Sequence, residues 1–235
     1  MSGEIAQRIS RVKDKINETC LRAGRNPAEI RLMVVSKLHP LSDAEEAWKH
    51  GIRLFGESRV QEGMQKFELF RKRNDNSGAE IHLIGSLQRN KARKAAEFFD
   101  CIQSVDRAAL IEELGALTLE RKTPLKIFLE YHTGEESKAG FPDLKSLLTA
   151  AEKLRSFPGL LPMGLMTMAP FTADKKEIRA AFRSCRTAAE ELRKLFGKDS
   201  WPGLSMGMSG DFEIAIEEGS TMLRLGTVIF GDRTQ

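Results

Sequence analysis

The order of elements in this sequence predicts a (β/α)8 barrel, and three observations carry the prediction. Short apolar runs rich in β-branched residues alternate with segments of helical periodicity along the whole chain. Eight such runs occur, seven linked by helical segments and the first preceded by a helix of its own. No linker or low-complexity tract interrupts them, so residues 1–235 are expected to form a single domain. An open doubly wound sheet would show the same alternation, but eight consecutive strands favour closure.

The helix before the first strand is expected over residues 4–22, where Ile5, Ile9, Val12, Ile16 and Cys20 share one face, and Gly24 and Pro27 end it. Residues 31–37 follow as an apolar strand buried on both faces, closed by the proline-bearing turn Leu38-His39-Pro40. Residues 42–50 read as a helix, 52–55 as the second strand, and Ser58 with Gln61 as a capping box for the helix that follows. The polar stretch 71–78 reads as a loop, 81–84 as the third strand and 88–99 as a basic helix. Residues 101–105 are the fourth strand, Asp106 opens a helix, and 125–131 are the fifth strand. A loop through Gly134 and Gly140 leads to a helix over 142–157 and the sixth strand over 160–166. The longest helix, 173–196, puts Ile178, Ala181, Phe182, Cys185, Ala189 and Leu192 on one face. Strands over 203–206 and 221–225 flank a helix over 211–218, and a last short helix begins at Thr227.

Composition narrows the class. At 41% hydrophobic and 30% charged residues the chain reads as soluble and globular. It has no apolar run of membrane-spanning length, and charges throughout residues 2–22 leave no signal-peptide core. A cytoplasmic location and no membrane partner are therefore expected. Cys20, Cys101 and Cys185 are far apart and odd in number, which argues against disulfides and a zinc site. The four histidines have no paired ligand spacing, so no metal is expected. A net charge of +4 suits an anionic ligand but is too small to indicate nucleic acid. The basic segment Arg89, Lys91, Arg93 and Lys94 lacks interleaved aromatics and reads as a solvated face.

Two places carry candidate chemistry. Lys37 stands where a buried strand emerges, and it reads in two ways: a desolvated amine able to form a Schiff base, or a lysine leaving the core for solvent. In a barrel the loops after the seventh and eighth strands commonly hold phosphate. Here they are Ser205-Met-Gly-Met-Ser209-Gly and Arg224-Leu-Gly226-Thr227, where glycines admit close approach and hydroxyls flank helix starts. They read equally well as ordinary turns and caps.

The segments Val34-Val-Ser-Lys37, Phe55-Gly-Glu57, His82-Leu-Ile-Gly85, Glu136-Ser-Lys138, Gly164 to Pro170, Leu204 to Ser209 and Met222 to Gly231 together resemble the pyridoxal 5'-phosphate (PLP) homeostasis protein family. Its members are single-domain relatives of the alanine racemase N-terminal barrel. Ser58, His132 and Gly210 depart from the residues usual in that family. The resemblance implies that Lys37 carries the cofactor PLP as a Schiff base. It also implies that Ser205, Gly207, Met208, Ser209, Gly226 and Thr227 surround the phosphate, with Arg224 facing the pyridine nitrogen. A guanidinium cannot accept a proton, so it would leave that nitrogen unprotonated and weaken the ring as an electron sink. Val35, Ser58, His82 and Met166 are candidates to complete the wall. The expected function is PLP homeostasis, the buffering or delivery of the cofactor, with PLP-dependent apo-enzymes as partners and a monomeric or weakly dimeric chain. The alternative is a PLP-dependent amino-acid racemase or lyase. Racemisation needs a second acid/base opposite the lysine, a tyrosine that alanine racemases take from an additional β domain. No such domain is expected after Gln235, and no catalytic residue is assigned.

Overall fold

The structure, a computed structural model, describes residues 2–74, 78–119, 121–134 and 139–231. Eight parallel strands close into a barrel in sequence order: β1 Arg31–Val35, β2 Leu54–Glu57, β3 Glu80–Leu83, β4 Cys101–Val105, β5 Leu125–Glu130, β6 Leu160–Met166, β7 Gly203–Ser205 and β8 Met222–Leu225. Closure sets Met33 beside Arg224 and Val34 beside Leu225. The helices are α1 Ser2–Arg22, α2 Leu41–Lys49, α3 Val60–Arg73, α4 Ala92–Phe98, α5 Ala108–Leu117, α6 Leu144–Leu154, α7 Lys175–Phe196, α8 Phe212–Glu217 and α9 Thr227–Phe230. The expected (β/α)8 architecture is the observed one.

The period of two along a strand divides the molecule into two cores. Outward-facing residues such as Val34, Phe55, Ile81 and Ile102 pack under the helices in one large cluster. Inward-facing Met33, Leu54, Cys101, Phe128, Met166 and Met222 fill the barrel. Two residues beyond Met33, Phe128 and Met222 on the same faces come Val35, Glu130 and Arg224, so alternation delivers these three to the layer above the plug. The three cysteines are buried, as the sequence indicates.

Some boundaries shift for identifiable reasons. Strand β1 stops at Val35, so Lys37 lies in the turn beyond it and Leu38 takes a positive φ of 64°. Lys37 is half-buried, and the lysine with a fully desolvated head is Lys66 of α3, 8% exposed. The capping box of Ser58 and Gln61 does not form. Strand β2 runs on to the buried Glu57, so Arg59 is still extended and caps α3 without a side-chain bond. Helix α3 continues to Arg73 into the stretch expected as a loop, of which residues 75–77 lie outside the described residues. The basic segment splits into a 3-10 turn, Arg89–Lys91, followed by α4.

Candidate functional site

A cavity of about 490 Å³ opens at the C-terminal ends of the strands, within the roughly 300–1,000 Å³ usual for small-ligand sites. The β1 turn contributes Val35, Lys37 and His39, and the turn after β2 contributes Ser58. Opposite are Ile84, Gly85 and Ser86 after β3, Glu130 of β5, and Met166 and Met168 at the end of β6. The loop after β7 brings Met208, Ser209 and Gly210, and β8 with its loop brings Arg224, Gly226 and Thr227. Gly85 is required: a Cβ there would lie 2.1 Å from the carbonyl oxygen of Ser58, so the turns after β2 and β3 close only over a glycine.

A buried ion pair holds the lysine turn. Lys66 Nζ donates to Glu57 Oε1 at 2.8 Å and to the Ser36 carbonyl at 2.6 Å, and the Ser36 hydroxyl donates to the same Glu57 oxygen at 2.7 Å. Burial pushes the Glu57 carboxyl up, and Lys66 and Ser36 pull it back. Glu62 accepts from the Leu38 N–H at 2.5 Å, fixing the strained residue that follows Lys37. The His39 ring stacks 4.5 Å from Phe230, which ties this turn to α9.

The two anion-compatible loops meet. The Ser209 hydroxyl accepts from the Val228 N–H in the first turn of α9 at 3.3 Å, and Asp211 accepts from the Met208 N–H at 2.6 Å. Gly207 is reserved for tight packing, since φ is +99° and a Cβ would approach Ala215 Cβ to 2.6 Å.

Arg224 heads a chain of hydrogen bonds that descends through the barrel. Its Nη1 donates to the Ser205 carbonyl at 2.5 Å and to Ser205 Oγ at 2.9 Å, and its Nη2 donates to the Thr167 carbonyl at 2.8 Å. Ser205 Oγ donates to Gln103 Oε1 at 2.7 Å, so the Gln103 amide donates to His82 Nδ1 at 2.7 Å. His82 Nε2 then carries the proton and donates to Glu80 at 2.9 Å. Every donor has an acceptor, running from a guanidinium at the cavity to a carboxylate near the opposite end of the barrel. Burial lowers the His82 pKa, favouring the neutral ring, while His82 and Arg31 hold Glu80 well below the usual carboxylate range. Desolvation also brings Arg224 down to about 10, which leaves it charged at neutral pH.

Nine of the twelve residues named from the sequence thus stand in one wall: Lys37, Met208, Ser209, Arg224, Gly226, Thr227, Val35, Ser58 and Met166. Ser205, Gly207 and His82 do not. Ser205 and His82 lie below it in the chain that supports Arg224, and the Cα of Gly207 faces α8. The segment Glu136-Ser-Lys138 is outside the described residues.

Residues 9–234 match the family described as alanine racemase, N-terminal domain. Pyridoxal phosphate homeostasis proteins of Haemophilus influenzae and Escherichia coli are 36% and 37% identical, over 97% and 98% of this chain and 96% and 97% of their own lengths. The chain belongs to this family. Among solved structures, PipY of Synechococcus elongatus with PLP bound superposes with a TM-score of 0.83 at 35% identity, over 97% of this chain and all of that one. A Bifidobacterium adolescentis protein of unknown function superposes at 0.91 with 34% identity, over 97% of this chain and 95% of that one. Alanine racemase of Bacillus anthracis shares the fold, with a TM-score of 0.72 at 15% identity, and this family member spans 57% of its length.

The sequence reading missed Glu130. It is 4% exposed, it reaches the cavity, and its carboxyl is pushed up to about 7, first by burial and then by Asp106, with Arg224 opposing. A legible signal existed: Glu130 ends its strand on the same face as Phe128, and in a barrel a polar strand-end residue on the inward face lies at the active rim.

Proposed function

We propose that this single barrel domain binds PLP in the cavity, covalently through Lys37, and serves PLP homeostasis by buffering the cofactor or delivering it to PLP-dependent apo-enzymes. One observation carries the reading: Lys37 shares a wall with two interlocked loops whose Ser209 and Thr227 hydroxyls and glycine backbones suit a phosphate. Kinship with PLP homeostasis proteins, and with a protein solved with PLP bound, supports it.

When bound, the cofactor supplies a carbon that amines attack and a ring that withdraws electrons. The residues here would anchor and orient it. Arg224, with three N–H groups engaged by Ser205 and Thr167, has an Nη2 hydrogen and the Nε hydrogen left for a ligand and no proton to lose at neutral pH. Such a group favours an unprotonated ring nitrogen, which suits storage better than carbanion chemistry. The position of Tyr131 points the same way: this one tyrosine lines a separate depression with residues of α6 and α7, away from Lys37.

The test is borohydride reduction of PLP-loaded protein followed by peptide mass mapping. The pyridoxyl group is expected on Lys37, and its appearance on another lysine would remove the assignment. Incubating loaded protein with L-alanine in deuterated water separates carrier from racemase. No Cα deuteration or D-isomer is expected; either one at enzyme-like rates, lost in Lys37→Ala, would establish an enzyme.

A further inference from the structure

Glu130 is the one acidic residue among the described residues of the cavity wall, and its carboxyl has no hydrogen-bond donor among them. Arg224, the cation whose charge reaches it, makes its hydrogen bonds to Ser205 and Thr167 and none to Glu130. Glu130 as a residue is 4% exposed, and its carboxyl opens only on the cavity, where a ligand can bring the donor that the wall does not. In a ring of eight strands β5 lies four places from β1 in either direction, so Glu130 faces the Lys37 turn across the barrel mouth.

We propose that Glu130 is the proton acceptor for a primary amine that enters the cavity opposite Lys37 and displaces Lys37 from the cofactor. The proposal rests on the cofactor reading above and gives delivery a chemical route. An incoming ammonium cannot attack, so Glu130 as carboxylate takes one proton from it. The freed amine forms a C–N bond to the cofactor carbon held by Lys37, one of its hydrogens passes to Lys37 Nζ, and the bond from that carbon to Lys37 Nζ breaks. Lys37 leaves as an amine and takes the proton back from Glu130. One carbon–nitrogen double bond replaces another, and nothing is oxidised or reduced. The charged and titratable groups around Glu130 are Asp106 from the end of β4, Arg224 from β8, and Lys37 and His39 from the β1 turn. Burial first, then Asp106, with Arg224 opposing, bring the carboxyl to about 7, where a proton acceptor is efficient at neutral pH. The apolar walls of Ile84, Met166 and Met168 suit the carbon chain of the amine.

The experiment uses PLP-loaded wild type and Glu130→Gln, each with its loaded fraction measured from the borohydride mass shift. Ethanolamine is added from pH 6 to 8.5, and loss of the cofactor from Lys37 is followed by borohydride trapping. Per loaded molecule, Glu130→Gln is expected to exchange about 100-fold more slowly and to lose an inflection near pH 7 that wild type shows. Glu130→Asp should recover part of the rate. Carboxyl carbon NMR of the cofactor-free proteins gives an independent readout, a glutamate resonance titrating near 7 in wild type and absent from Glu130→Gln. Wild-type exchange rates in Glu130→Gln would overturn this proposal and leave the cofactor reading standing. So would Cα deuteration of L-alanine that depends on Glu130, since the proton would then pass to carbon. Failure of wild type to load PLP at all would overturn both.

Discussion

At Glu130 chemistry and stability pull in opposite directions. Its folded value of about 7 exceeds the ordinary 4.5, so the folded protein keeps the proton longer than the unfolded chain does. This contribution is therefore fully present below about 4.5 and is lost as pH rises to about 7. The difference, 7 − 4.5 = 2.5 pH units at about 1.36 kcal/mol each, is about 3 kcal/mol. Glu130→Gln keeps the shape without the charge, so urea unfolding of the cofactor-free protein should find it up to about 3 kcal/mol more stable than wild type at pH 8 and unchanged at pH 4. Equal stability at pH 8 would show that the carboxyl is not strained there. The Lys66–Glu57 pair behaves in the opposite sense. Glu57 is fully buried and already has one oxygen, Oε2, without a partner, so Lys66→Met would leave a carboxylate in the core with only the Ser36 hydroxyl. A loss of about 3–5 kcal/mol is expected by urea titration, with weaker cofactor retention because the Lys37 turn loses its anchor.

At the scale of elements, the loops after β7 and β8 act as one unit. Ser209 caps the first turn of α9, and Phe230 at its other end stacks on His39, so the phosphate-compatible loops and the lysine turn are mechanically joined. A bound phosphate would draw on hydroxyls and backbone N–H groups from both loops, and hydrogen bonds to a charged group contribute about 1.5–3 kcal/mol each. Replacing Ser209 and Thr227 together by Ala should weaken retention of PLP at least tenfold, measured by equilibrium dialysis. Retention equal to wild type, with circular dichroism unchanged, would relocate the phosphate.

For the whole molecule, α1 matters more than its place outside the barrel repeat suggests. It packs on α2, α8 and α9, and Arg25 just beyond it donates to the Ile216 and Ser220 carbonyls, at 2.8 and 2.7 Å, so it braces the helices flanking the β8–β1 closure. Ile9 of α1 is buried in the large core cluster, 2% exposed. Ile9→Ala should cost about 2–5 kcal/mol and appear in thermal unfolding as a lower midpoint of one cooperative transition. A separate early transition would mean that α1 is an independent unit.

The sequence by itself determined the order of elements, the eightfold count and the rim that carries the chemistry, because each depends on local periodicity and on residues near in the chain. The repeat of apolar residues every two or every three to four positions located all eight strands and the long helices. It erred at the C-terminal end of β1, at Ser58 and at Arg71 to Arg73, where long-range contacts outweigh local preference. Most of the cavity residues were legible for a similar reason, since Lys37 and the loops at Ser209 and Thr227 sit at strand ends. Only the tertiary structure decided which groups face one another. Glu57 lies under the lysine turn because α3 folds Lys66 back onto it. His82 props Arg224 from below through Gln103 and Ser205, which come from two other strands. Glu130 opposes Lys37 because the barrel closes. Burial and electrostatic fields sum over neighbours remote in sequence, and no local pattern encodes that sum.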